Sequence, residues 1–107
     1  MKTISAAELA DWLADEHRER PLLLDVREPW ETQICAIPGS EQVPMREVPT
    51  ALERLDRERP IVCICHHGGR SAHVAMFLLR QGFADVYNLS GGVDAWARQV
   101  DPAMPVY

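Results

Sequence analysis

Ile61-Val62-Cys63-Ile64-Cys65-His66-His67-Gly68-Gly69-Arg70-Ser71 is the stretch on which the fold turns. Ile61 to Ile64 are apolar without alternation, the pattern of a strand buried on both faces. After the loop, Val74, Ala75, Leu78 and Leu79 recur at helical spacing and Gly82 stops the pattern, which predicts a helix over 71–79. The loop therefore joins the carboxyl end of a strand to the amino end of a helix. Unpaired backbone N–H groups and the helix dipole favour negative charge at such a place. Cys65 reads as a nucleophile facing an anion.

The same alternation extends in both directions. Lys2-Thr3-Ile4 reads as a short strand, and Ser5 with Glu8 forms a capping box for a helix whose apolar face is Leu9, Trp12 and Leu13. Pro21 ends that pattern, and Leu22-Leu23-Leu24 opens a second buried strand that runs to about Val26. Ile37-Pro38-Gly39 marks a turn and Gln42-Val43-Pro44 a short strand. Val48, Ala51, Leu52 and Leu55 give another helical face. Val86-Tyr87-Asn88 reads as a fifth strand, followed after Gly91-Gly92 by a helix presenting Val93, Trp96 and Val100. The expectation is an α/β fold in one domain, residues 1–107, with about five mostly parallel strands and helices on both faces.

Composition narrows the function classes. Hydrophobic residues make up 47% and charged residues 25%, the values of a globular chain rather than a disordered one. A formal net charge of −5 argues against nucleic acid or an anionic membrane as partner. No segment has the length of a membrane span, and no apolar signal core follows Lys2. Three cysteines without a disulfide-scaffold pattern point to the reducing cytoplasm.

Within the loop, Gly68 and Gly69 allow successive N–H groups to approach a small anion closely. Arg70 stands at a helix start, where the dipole disfavours a cation. It is expected to contact an anionic substrate, or to hold the loop by pairing with Asp25 or Glu28. His66 and His67 are either exposed polar residues or substrate contacts able to move a proton. Ser71 completes the loop. Asp25 and Arg27 lie at the carboxyl end of the second strand, the edge where open α/β sheets build sites, and are expected to brace the loop. Cys63-x-Cys65-His66-His67 holds metal-ligating residue types, but Cys63 is hemmed by Val62 and Ile64 and no second ligand pair follows, so no metal is expected. Cys35 is open to two readings, a packed residue or a resolving thiol.

Several segments resemble, in order, the motifs of the rhodanese family of sulfurtransferases. They are Leu24-Asp25-Val26-Arg27-Glu28, Ile37-Pro38-Gly39-Ser40, the Cys65 loop, Asn88-Leu89-Ser90-Gly91-Gly92-Val93-Asp94-Ala95-Trp96 and Pro105-Val106-Tyr107, which together reach across essentially the whole chain. The chain departs at Cys35-Ala36, where the family usually has Gly-His. Four residues separate Cys65 from Arg70; cysteine-dependent phosphatases have five, and the shorter loop resembles that of the sulfur-transferring rhodaneses. The resemblance implies a rhodanese-like fold and a Cys65 persulfide that needs no cofactor. It implies as partners a small anionic sulfur donor, thiosulfate or a persulfide, and a thiol, protein cysteine or cyanide as acceptor. A rhodanese-like sulfur relay or protein-binding module with little thiosulfate turnover is the alternative.

Overall fold

Side chains of successive residues along the central strand point to opposite faces, and the two halves of the core follow from that alternation. The computed structural model describes residues 1–107. Its strands are β1 (Lys2–Ile4), β2 (Leu22–Asp25), β3 (Glu41–Gln42), β4 (Ile61–Ile64) and β5 (Val86–Leu89), in the order β1-β5-β4-β2-β3. Every pairing is parallel. The helices are α1 (Ala6–Ala14), α2 (Pro29–Ile34), α3 (Val48–Ala51), α4 (Gly69–Arg80) and α5 (Gly92–Gln99).

Ile61 and Cys63 of β4, with Cys65 just beyond it, join Leu24 and Val26 under Val74, Ala75 and Leu78 of α4 and Val48 and Ala51 of α3. Val62 and Ile64 face the other way, with Leu23, onto Leu9 and Trp12 of α1 and Val93 and Trp96 of α5. All four residues of β4 are buried, which is why this strand shows no polar alternation. The sheet is thus covered on both faces, as the sequence pattern predicts.

Four local expectations are corrected. β3 is Glu41–Gln42, not Gln42–Pro44; Pro44 has no N–H to donate to a ladder. The 48–55 helical face is divided into α3 and a 3₁₀ turn, Leu52–Arg54, behind a second 3₁₀ turn at Met45–Glu47. α4 begins at Gly69 rather than Ser71. α2 has no counterpart in the apolar pattern. It is started by Pro29 and by a capping box in which the Glu28 N–H donates to Glu31 Oε2 at 2.9 Å.

β2 and β4 are neighbours, but the chain leaves β2 toward β3 on one side and β4 toward β5 on the other. Their departing loops part at the carboxyl edge, the usual place for a site in such sheets. Asp25 ends β2 at this edge with Arg27 two residues on, and Cys65 follows β4. No helix is long and apolar enough to cross a membrane.

Candidate active site

β4 ends at Ile64, and the next residue, Cys65, is carried to the foot of α4 with only 1% of its surface exposed. Its Sγ accepts the Gly68 N–H at 3.1 Å and lies 3.3 Å from the Ser71 hydroxyl. Ser71 is fully buried and also donates to Asn88 Oδ1 of β5, while Asn88 Nδ2 donates to the Gly68 carbonyl at 3.0 Å. Asn88 therefore fixes both groups that touch the sulfur. The N–H groups of Gly69, Arg70 and Ser71, the first turn of α4, have no carbonyl one helical turn back to accept them. An anion beside Sγ meets that free end.

The two loop glycines are not equivalent. Gly68 has φ +109°, and a Cβ there would meet the Leu89 carbonyl oxygen at 3.3 Å. Gly69 has ordinary backbone angles and open space where its Cβ would go. Of the two, only Gly68 stands where the backbone itself requires glycine. The sequence reading gave no role to Gly92, yet Gly92 sits directly under the loop. It has φ +59°, and a Cβ on it would lie 2.3 Å from the Cys65 carbonyl oxygen and 2.4 Å from that of His66. This approach lets Val93 N–H donate to the Cys65 carbonyl at 3.0 Å and Asp94 N–H to the His66 carbonyl at 3.1 Å. The first turn of α5 clamps the loop from below.

Arg70 pairs with neither Asp25 nor Glu28. Its Nη1 and Nη2 form a two-pronged contact with Glu31 Oε2 and Oε1 at 2.7 and 2.8 Å. That contact, aided by the Glu28 N–H and the Tyr107 hydroxyl and opposed by burial, holds the Glu31 carboxyl down at about 2. The same bond raises Arg70 above its ordinary value. Glu28 is paired instead with Arg46. The Tyr107 hydroxyl donates to Glu31 Oε1 at 2.9 Å and accepts from Arg27 Nη1 at 3.0 Å, and burial pushes its phenol up to about 12.

Asp25 and Arg27 are both fully buried and bonded to each other, with Arg27 Nη2 2.7 Å from Asp25 Oδ2. Burial works against the Arg27 charge, but its bonds to Asp25 and Tyr107 outweigh that and raise it. Arg27 Nη2 also donates to the Cys35 carbonyl at 2.7 Å. The two residues thus brace α2 and the segment after it, and reach Arg70 only by way of Glu31, which Arg27 touches at its carbonyl and through Tyr107. Cys35 is packed in the α1/α5 half of the core, across the sheet from Cys65, which fits the packed reading and not the resolving one. Cys63 is completely buried, and burial pushes its thiol up to about 12.

His66 stacks on Tyr107, with ring centres 3.8 Å apart and planes 6° apart, and His67 lies 3.9 Å beyond it at 32°. Burial, then the neighbouring His67, lowers the affinity of half-buried His66 for a proton, and its Nε2 is buried without a partner. His66, His67 and Asp94 bring three donor atoms within 4.8 Å of one another. Asp94, the one carboxylate of this group, is already bonded to Arg98 at 3.0 Å. Two hollows, of about 160 and 260 Å³, lie elsewhere, and neither is lined by Cys65.

The family model described as the rhodanese-like domain matches residues 5–99. A sulfurtransferase of Allochromatium vinosum is 38% identical over 95 residues, covering 89% of this chain and 87% of that protein. The chloroplastic rhodanese-like/PpiC domain-containing protein 12 of Arabidopsis thaliana is 38% identical over 112 residues; the chain is covered completely but spans only 38% of that protein. Among solved structures, SSP1007 of Staphylococcus saprophyticus superposes with a TM-score of 0.84 at 32% identity, over 94% of this chain and 97% of that one.

Proposed function

The chain belongs to the rhodanese-like family, and from that membership we propose that it is a sulfurtransferase working through a Cys65 persulfide. The observation that carries the reading is the position of Cys65 Sγ, 3.1 Å from the Gly68 N–H at the free end of α4. The Cys65 thiolate attacks the sulfane sulfur of thiosulfate or of a persulfide, and the leaving group departs with the electron pair of the broken bond. Backbone N–H groups of the loop receive the negative charge as it moves to the outer sulfur. A thiol, a protein cysteine or cyanide then removes that sulfur and restores Cys65. We assign the contact with the acceptor to His67, which is exposed on the loop. No cofactor or metal enters these steps. Three free cysteines suit a reducing compartment, the cytoplasm.

The short loop and the near-complete burial of Cys65 favour a slim terminal sulfur over a phosphoryl group with three oxygens. Parallel kinetics on thiosulfate with cyanide, on a persulfide with a thiol, and on an aryl phosphate test the reading. Sulfur transfer that vanishes in Cys65→Ala is the expected result. Phosphate hydrolysis without sulfur transfer overturns it. The relay alternative draws support from the chain spanning 38% of its Arabidopsis relative, where such a domain is one part of a larger protein; a persulfide that forms but reaches only a protein cysteine would favour it.

A further inference from the structure

The arginine nearest the nucleophile is already engaged by a carboxylate. Both terminal nitrogens of Arg70 point to Glu31. Glu31 also accepts the Glu28 N–H and the Tyr107 hydroxyl, each at 2.9 Å, and is 3% exposed, so it is not free to swing away into water. Arginines of the neighbouring segments are matched in the same way: Arg27 with Asp25, Arg46 with Glu28 and Arg98 with Asp94. A donor reaching the Cys65 thiolate thus finds hydrogen-bond donors at the amino end of α4 but no unpaired arginine. On a chain of net charge −5, that surrounding disfavours a dianion.

A second observation concerns the rim. Trp30, next to Glu31, is 61% exposed and stands edge-on to Tyr107 at 6.0 Å. Tyr107 stacks on His66, the residue after the nucleophile. An aromatic ladder therefore leads from solvent to the loop, while Cys65 itself is nearly closed off. An organic group left outside while its terminal sulfur enters would rest on these rings; a sulfite group gains nothing from them.

Taking the Cys65 reading above as its basis, we infer that Glu31 is a specificity-determining residue that, by occupying the Arg70 fork, turns the site toward organic persulfides and away from thiosulfate. In the favoured step the Cys65 thiolate attacks the outer sulfur of R–S–SH. A Cys65 S–S bond forms, the donor's own S–S bond breaks, and RS⁻ leaves with the bonding pair, giving Cys65–S–SH. With thiosulfate the same step gives Cys65–S–S⁻ and sulfite dianion. Neither needs an oxidant or a reductant.

The test is the second-order rate of sulfur loading on Cys65, read by mass spectrometry of quenched protein, for the wild type and Glu31→Gln. The donors are thiosulfate and the persulfide of 2-mercaptoethanol, each at low and high salt. Wild type is expected to prefer the persulfide by about tenfold or more, and its thiosulfate rate is expected to rise with salt as like charges are screened. Glu31→Gln is expected to shift the donor ratio toward thiosulfate by about tenfold, equivalent to about 1.4 kcal/mol. A donor ratio unchanged within about twofold in Glu31→Gln overturns the inference. If that variant does not fold, the wild-type salt dependence decides, and a thiosulfate rate that exceeds the persulfide rate and falls with salt overturns it. Loading from neither donor overturns the sulfur-transfer reading, and this inference with it.

Discussion

Replacing Gly92 by alanine is expected to damage a cysteine that the new methyl group never touches. The added Cβ would stand 2.3 Å from the Cys65 carbonyl oxygen, where ordinary contact begins at 3.4 Å, so the Cys65–His66 peptide must retreat by about an ångström. Both carbonyls are then pulled from the Val93 and Asp94 N–H groups, at about 1 kcal/mol for each bond. Holding alanine at φ +59° costs about 1–2 kcal/mol, and crowding of this kind about 1–3 kcal/mol. The total, about 4–7 kcal/mol, is a large part of the stability of a domain this size. Sγ should move with its backbone and lose the Gly68 N–H. Urea unfolding measures the first effect; the rate at which iodoacetamide labels Cys65 below the unfolding transition measures the second. A loss under about 1 kcal/mol, or a large loss with the labelling rate unchanged, would refute the idea that α5 positions the nucleophile.

The neighbouring glycine gives the opposite outcome: Gly69→Ala, with open space and ordinary angles, is expected to leave the urea midpoint unchanged or raise it, because alanine restricts the unfolded chain. Glu31 makes stability depend on acid. Its carboxyl lies at about 2 when folded against an ordinary 4.5, so its contribution is complete above about pH 4.5 and is lost as pH falls through 2. At about 1.4 kcal/mol per tenfold change in proton affinity this amounts to about 3 kcal/mol, seen as an acid limb in urea midpoints that Glu31→Gln lacks. Arg70→Ala strands a buried carboxylate and is expected to cost about 3–5 kcal/mol in the same assay. Arg70→Lys is expected to recover only part of this, since lysine cannot form the fork.

What could be read in the chain and what could not divide along physical lines. Ile61-Val62-Cys63-Ile64 and Leu22-Leu23-Leu24 are recognisable because burial on both faces removes alternation, and Ser5 with Glu8 because a capping box is local. Cys65 follows from its place between such a strand and a helical pattern. α2 escapes the same reasoning because its one buried side chain is Glu31, a charge held by Arg70 from 39 residues away and Tyr107 from 76. Its local signals, Pro29 at the first helical position and glutamates three apart, are visible only to a search for caps. The partner of Arg70 was misplaced for the same reason. Asp25 ends β2 and Glu28 and Glu31 follow it closely, and only the turn of α2 decides which of the three carboxylates faces the loop. Gly92 and Gly69 read alike in sequence, because a need for glycine arises from the backbone packed against it.

The most direct test of the central claim is peptide mapping by mass spectrometry after exposure to a sulfane-sulfur donor. One added sulfur atom is expected on Cys65 and none on buried Cys63 or Cys35, with the added sulfur removed by cyanide and absent from Cys65→Ala. Cys65 left unmodified by every donor, or a sulfur gained equally by Cys65→Ala, would contradict the account.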